Sequence, residues 1–195
     1  MKKFLFGILS LLFAGVLIGV LPTEAEAGIY SDTLRLHILA ASDTEEDQEL
    51  KLRVRDAILA EYSARLSDAE GIEESAAAVE ALLPEIEKTA EACIAECGYK
   101  YTVTATLKEE QYDTRDYGRF SLPRGRYLSL VIKIGEGEGK NWWCVMYPPM
   151  CLDMALDAPP DDWASDYSDG ELALVKNGKY RVKFKLLEMI SDFID

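Results

Sequence analysis

Cysteine, histidine and clustered carboxylates are the side chains through which this 195-residue chain could do chemistry, and their spacing limits what that chemistry can be. There is one histidine, His37. It lies inside an alternating apolar segment that reads as a strand, so a Ser-His-Asp or Cys-His relay would have to draw on a packed strand histidine, and no nucleophile-elbow sequence is present. The four cysteines fall into two pairs. Cys93 and Cys97 have helical i, i+4 spacing, with parallel Cβ vectors on an apolar stripe, and read as small core residues. Cys144 and Cys151 flank Pro148-Pro149. Seven extended steps would span roughly 23 Å, whereas a bridge needs Cα atoms within about 7 Å. A disulfide between Cys144 and Cys151 is therefore expected with the Pro-Pro segment turning the chain back, closing a loop worth roughly 2.5 kcal/mol less any strain. Neither pair has the ligand spacing of a structural zinc site, and Asp161, Asp162 and Asp166 lack that of a calcium loop. Residues 135–140 fail as a phosphate loop, because Ile134 stands in place of the first Gly, Asn141 follows Lys140, and Glu136 and Glu138 would repel phosphate. No catalytic residue, metal or cofactor is expected.

The most unusual composition is in Gly135-Glu-Gly-Glu-Gly-Lys-Asn-Trp-Trp-Cys-Val-Met-Tyr-Pro-Pro-Met-Cys151. Its glycine-rich half reads as a turn after the apolar run 126–134, and 141–147 as a second strand, together a β-hairpin. Alternation puts Trp142, Cys144 and Met146 on one side and Trp143, Val145 and Tyr147 on the other. Both sides are apolar, so one Trp is expected in the core. The other, with Asn141, Tyr147, Pro148 and Pro149, is expected to form a partner contact.

The surrounding elements follow from periodicity. Leu34, Leu36, Ile38 and Ala40 alternate with Arg35, His37 and Leu39 as a strand, ended by Ser42-Asp43-Thr44. A helix is predicted over 45–66, with Leu50, Val54, Ile58 and Tyr62 on its buried face and an acidic first turn. Lys51, Arg53 and Arg55 face elsewhere, and Arg53 and Arg55 are a second candidate contact. A second helix is predicted over 71–97, broken or kinked at Pro84 and ended by Gly98. A half-buried strand is predicted over 99–107, a polar loop or edge strand over 108–119, and a turn at Pro123-Arg-Gly125. An acidic surface loop follows over 157–170, then a tight turn at 176–179, a short strand at 180–184 and a closing helix over 185–194. The fold class is α+β, a small mixed or antiparallel sheet with two main helices packed on one face, after an N-terminal signal segment.

With 21 basic against 35 acidic residues the formal charge is −14, which excludes the clustered cations that nucleic-acid binding needs. Met1-Lys2-Lys3, the apolar run 4–21 and Ala25-Glu-Ala27 compose an export signal with cleavage between Ala27 and Gly28. The run is also long enough to serve as an uncleaved anchor. Residues 28–195 form one globular domain.

Two blocks carry a family resemblance. Leu34-Arg-Leu-His-Ile-Leu-Ala-Ala-Ser-Asp-Thr-Glu-Glu-Asp-Gln48 with Leu50-Lys-Leu-Arg-Val-Arg-Asp56 looks like the N-terminal signature of the stage II sporulation protein R family. Asn141-Trp-Trp-Cys144, with the preceding glycine turn and the following Pro148-Pro149 and Cys151, resembles its C-terminal signature. Ala41 stands where the pattern has Asn, and Met146-Tyr147 where it has a Leu-Phe type pair. The resemblance implies a protein exported by the forespore into the space between the two membranes of a sporulating cell. There it would activate a membrane-embedded sporulation aspartic protease that cleaves the precursor of the mother-cell sigma factor. It implies no nucleic-acid or small-molecule partner. An exported enzyme or wall-binding domain, with the Trp pair as a sugar platform, is the alternative.

Overall fold

A computed structural model describes residues 2–20, 23–67, 69–118, 120–148 and 167–177. The described elements are α1 (Lys2–Val20), α2 (Glu24–Ser31), β1 (Leu34–Leu39), α3 (Glu45–Ser67), α4 (Ile72–Glu96), β2 (Val103–Tyr112), β3 (Arg115–Asp116), β4 (Ser121–Leu122), β5 (Gly125–Ile134), β6 (Asn141–Tyr147) and α5 (Asp169–Asn177). Four strands form a mixed sheet in the order β2-β5-β1-β6, and β3 pairs with β4 in a separate small ribbon. The fold is α+β, with α3 and α4 on one face as their apolar stripes require.

β5 and β6 are not hairpin partners. β1 lies between them, parallel to β5 and antiparallel to β6, so the predicted hairpin is corrected. Residues 135–140 must cross two strand spacings, about 9.6 Å, instead of closing a tight two-residue turn. The crossing is tied to the end of β1. The Gly139 amide donates to the Ala40 carbonyl (2.9 Å) and the Lys140 amide to the Asp43 carboxylate (2.6 Å). A Cβ on Gly139 would run into the Ser42 carbonyl, so only glycine lets the crossing lie this close.

Leu50, Val54, Ile58 and Tyr62 of α3 are buried against Leu34, Leu36 and Ile38 of β1 and Leu130, Ile132 and Ile134 of β5. α4 adds Val79, Leu82, Ile86, Ala90 and Ile94, and the Tyr62 hydroxyl bonds Thr89 Oγ1 at 2.8 Å. α4 runs unbroken through Pro84. Pro84 is exposed, and the carbonyl left without a donor, that of exposed Glu80, can turn to water. Gly98 takes φ +85°, and the Tyr99 amide reaches back to the Ile94 carbonyl at 3.0 Å, the left-handed stop predicted for this helix.

The other face of the sheet has its own core, built from Ile29 of α2, Val175 of α5, Phe120 and Leu122 of the ribbon, and Tyr112, Tyr127, Val145 and Tyr167. α2 and α5 each begin with a side-chain cap. Thr23 and Glu26 bond each other's amides, and the Ser168 amide donates to Glu171 Oε2 at 2.6 Å. Among the described residues, neither core includes one from α1. The predicted strand at 180–184, the helix over 185–194, Pro149, Cys151 and 157–166 of the acidic loop lie outside the described residues, and the last two residues predicted for that loop, Asp169 and Gly170, instead begin α5.

Candidate functional site

β6 is an edge strand, so its two tryptophans lie on opposite faces and both are half-buried. Trp142 packs at the margin of the α3/α4 core, with the Arg55 guanidinium 5.0 Å from its ring centre. Trp143 belongs to the other core. Neither is fully buried, because an edge strand has a covered neighbour on one flank only. The alternation expected for Tyr147 is broken by a bulge. Arg35 pairs with Val145 and Leu34 with Tyr147, which leaves Met146 unpaired and turns Tyr147 toward the α3/α4 core beside it.

The other predicted contact residues are dispersed. Arg53 is exposed and paired with Glu49 at 2.7 Å, apart from Arg55, which pairs with Asp56 at 2.6 Å. Asn141 carries a buried Oδ1 with no partner. Tyr147 borders a shallow depression with Asp32, Gly71 and Ile72, and Pro148 is buried. Cys93 and Cys97 are free thiols, as expected, and burial pushes the Cys93 thiol up. Cys144 is fully buried and is not one of the free thiols; its predicted partner Cys151 lies outside the described residues.

The densest constellation surrounds Trp143. The His37 ring stacks on it with centroids 5.5 Å apart, and the Arg115 guanidinium lies 3.4 Å from its centre. His37 Nδ1 is 2.7 Å from Glu110 Oε2. Burial pushes the Glu110 carboxyl up, but the bond to His37 and the charge of Lys108 outweigh it and hold the group below its ordinary value. Beneath lies Arg35, with no exposed surface. Its guanidinium sits 3.8 Å from the Tyr112 ring centre and 5.0 Å from that of Tyr127, and Nη2 donates to the Tyr117 hydroxyl. Nε and Nη1 of Arg35 and Nε2 of His37 are buried without a hydrogen-bond partner.

Sequence reasoning missed Arg35, Tyr112, Tyr117, Tyr127 and Arg115. An arginine at an alternate position of a strand reads as solvent-facing unless something shows that both sheet faces are covered. Among the described residues no nucleophile bonds His37 Nε2, and no group of three or more His, Cys, Asp or Glu could hold a metal ion.

Burial raises the Tyr112 phenol from about 10 to about 12, against the opposing Ser129 hydrogen bond and Arg35 charge. A phenol whose folded value is raised contributes stability that is present below about pH 10 and lost as pH climbs toward about 12, a contribution of up to about 3 kcal/mol. Spectrophotometric titration of the phenolates should show this late ionisation accompanied by unfolding. Tyr112→Phe should delay the alkaline transition.

The predicted cleavage point is inside α2. The Ala27 amide bonds the Thr23 carbonyl (2.9 Å), the Asp32 amide bonds the Gly28 carbonyl (2.8 Å), and Ile29 is fully buried. The Glu171 carboxylate occupies the place where a Cβ of Gly28 would stand.

The family model described as stage II sporulation protein R matches residues 30–156. That span includes β1, α3 and the β5 to β6 crossing, the segments that the Asp43 and Ala40 hydrogen bonds join. Stage II sporulation protein R of Bacillus subtilis (strain 168) is 30% identical over 189 residues, covering 93% of this chain and 79% of the relative. No solved structure matches the chain. The chain belongs to the stage II sporulation protein R family.

Proposed function

We propose that this protein is a secreted signalling ligand of endospore formation. It acts in the space between the forespore and mother-cell membranes, where it activates a membrane-embedded aspartic protease that processes the mother-cell sigma factor precursor. The observation that carries the reading is family membership across both signature blocks, which the fold brings together at one end of the sheet. A domain that works by contact needs a rigid scaffold and a presented surface. The buried β1 between α3/α4 and the second core supplies the first, and the half-buried Trp143 with Arg115 supplies the second. No cofactor or catalytic residue is part of this reading. A sugar platform is disfavoured, because the Trp143 ring is already stacked on His37 and Arg115.

Reconstitution tests it: cells carrying the protease and the precursor should cleave the precursor when this protein is exported and not without it. Equal cleavage in both would refute the activation role. The exported form is expected to begin at Gly28 and to carry a disulfide between Cys144 and Cys151. Export in the unfolded state accounts for cleavage of a bond that the folded α2 encloses. Mass spectrometry with N-terminal sequencing checks both points; an intact Met1 in the membrane fraction would mean an anchor, and free thiols at Cys144 and Cys151 would exclude the bridge.

A further inference from the structure

On the side of the sheet that carries Trp143, two guanidinium groups, one from β1 and one from the β3 ribbon, find no carboxylate among the described residues. Among the described residues Arg115 makes no ion pair, and its guanidinium carbon stands 3.4 Å from the Trp143 ring centre. Arg35 is wholly buried among tyrosines, with two N–H groups lacking an acceptor. Other basic residues of β2, β5 and the preceding turn are matched: Lys108 to Glu110 at 3.2 Å, Arg126 to Glu109 at 3.0 Å and Arg124 to Asp113 at 3.9 Å. In a chain with 35 acidic residues against 21 basic ones, two arginines that find no carboxylate among the described residues do not reflect a shortage of acidic side chains. A buried cation without a counter-charge is destabilising, and the tyrosine faces offset that only in part.

We propose that Arg115, backed by Trp143 and by the field of Arg35, receives one Asp or Glu side chain of the partner protein. This rests on the signalling reading above. Stacking on the indole fixes the guanidinium plane and leaves its N–H edges free for a two-pronged bond to a carboxylate. Arg35, whose guanidinium bonds the Tyr117 hydroxyl and whose charge acts on that group together with the charge of Arg115, adds to the positive potential on this side. The overall charge of −14 repels an acidic tract. The complement is therefore an isolated carboxylate in an otherwise neutral or basic segment, recognised at an Arg-Trp anchor of the kind that dominates interfaces.

The test uses the full-length protein exported in cells with the protease and the precursor. Arg115→Glu should reduce precursor cleavage at least tenfold, Arg115→Lys should keep part of it, and Arg126→Glu, on an exposed side chain held by Glu109, should keep all of it. Thermal melts accompany each variant; if charge reversal lowers the melt, Arg115→Gln serves instead and should still lose at least threefold. Reversing one acidic residue in the protease's extramembrane segment to Lys should restore cleavage to Arg115→Glu. Wild-type protein that drives no cleavage overturns the signalling reading and this inference with it. Wild-type-level cleavage by Arg115→Glu, or a loss that no charge reversal in the protease repairs, overturns this inference alone.

Discussion

Leu36→Ala is expected to cost about 2–5 kcal/mol, with the upper half of that range favoured by its position. Leu36 is fully buried in β1, between Leu130 of β5 and Cys144 of β6, and belongs to the core beneath α3 and α4. The strands on both sides are held by ladder hydrogen bonds and cannot close in on the missing methyl groups, so most of the cavity should persist. Leu52, on α3 and 37% exposed, is the matched control. Its replacement by Ala should change stability by no more than about 0.5 kcal/mol. Chemical denaturation of both variants measures the difference, and a loss at Leu36 no larger than at Leu52 would mean that β1 is not the central strand.

The second large effect separates the tryptophans. Each is half-buried, so replacement by Ala should cost roughly 2 kcal/mol at either position, about half of what a fully buried Trp loses. Their functional consequences should differ. Trp142 lies under Arg55 beside α3, where its packing supports the scaffold. Trp143 carries Arg115 and orients His37, and its loss leaves the Arg115 guanidinium without its platform. Melts should therefore show two similar drops, and only one of the two variants should fail to signal.

The helical half of the fold was legible because its signals are local. Four buried positions at four-residue spacing, an acidic first turn, and Gly98 at φ +85° correspond to features that the residues of one helix determine among themselves. Sheet order is not local. The apolar runs of β5 and β6 look alike whether they pair with each other or with a third strand, and only the strand register and the Asp43 and Ala40 contacts to the crossing reveal that β1 intervenes. Tyr147 was misplaced by a one-residue bulge that no composition signal announces. α2 and α5 are different, for their signal was present in Thr23-x-x-Glu26 and Ser168-x-x-Glu171, but the first sat beside an export signal and the second at the end of an acidic stretch. The aromatic cluster around Arg35 stayed hidden because it joins β1 to Tyr112 of β2, Tyr117 just after β3 and Tyr127 of β5, all much further along the chain than Arg35.

The most direct measurement is precursor cleavage in cells that carry the protease and export wild-type protein, Trp142→Ala or Trp143→Ala at equal levels. The account predicts cleavage with wild type and with Trp142→Ala, and none with Trp143→Ala although that variant remains folded at the assay temperature. Full cleavage with Trp143→Ala, or loss confined to Trp142→Ala, would contradict it and place the contact on the α3 side of the sheet or away from β6 altogether.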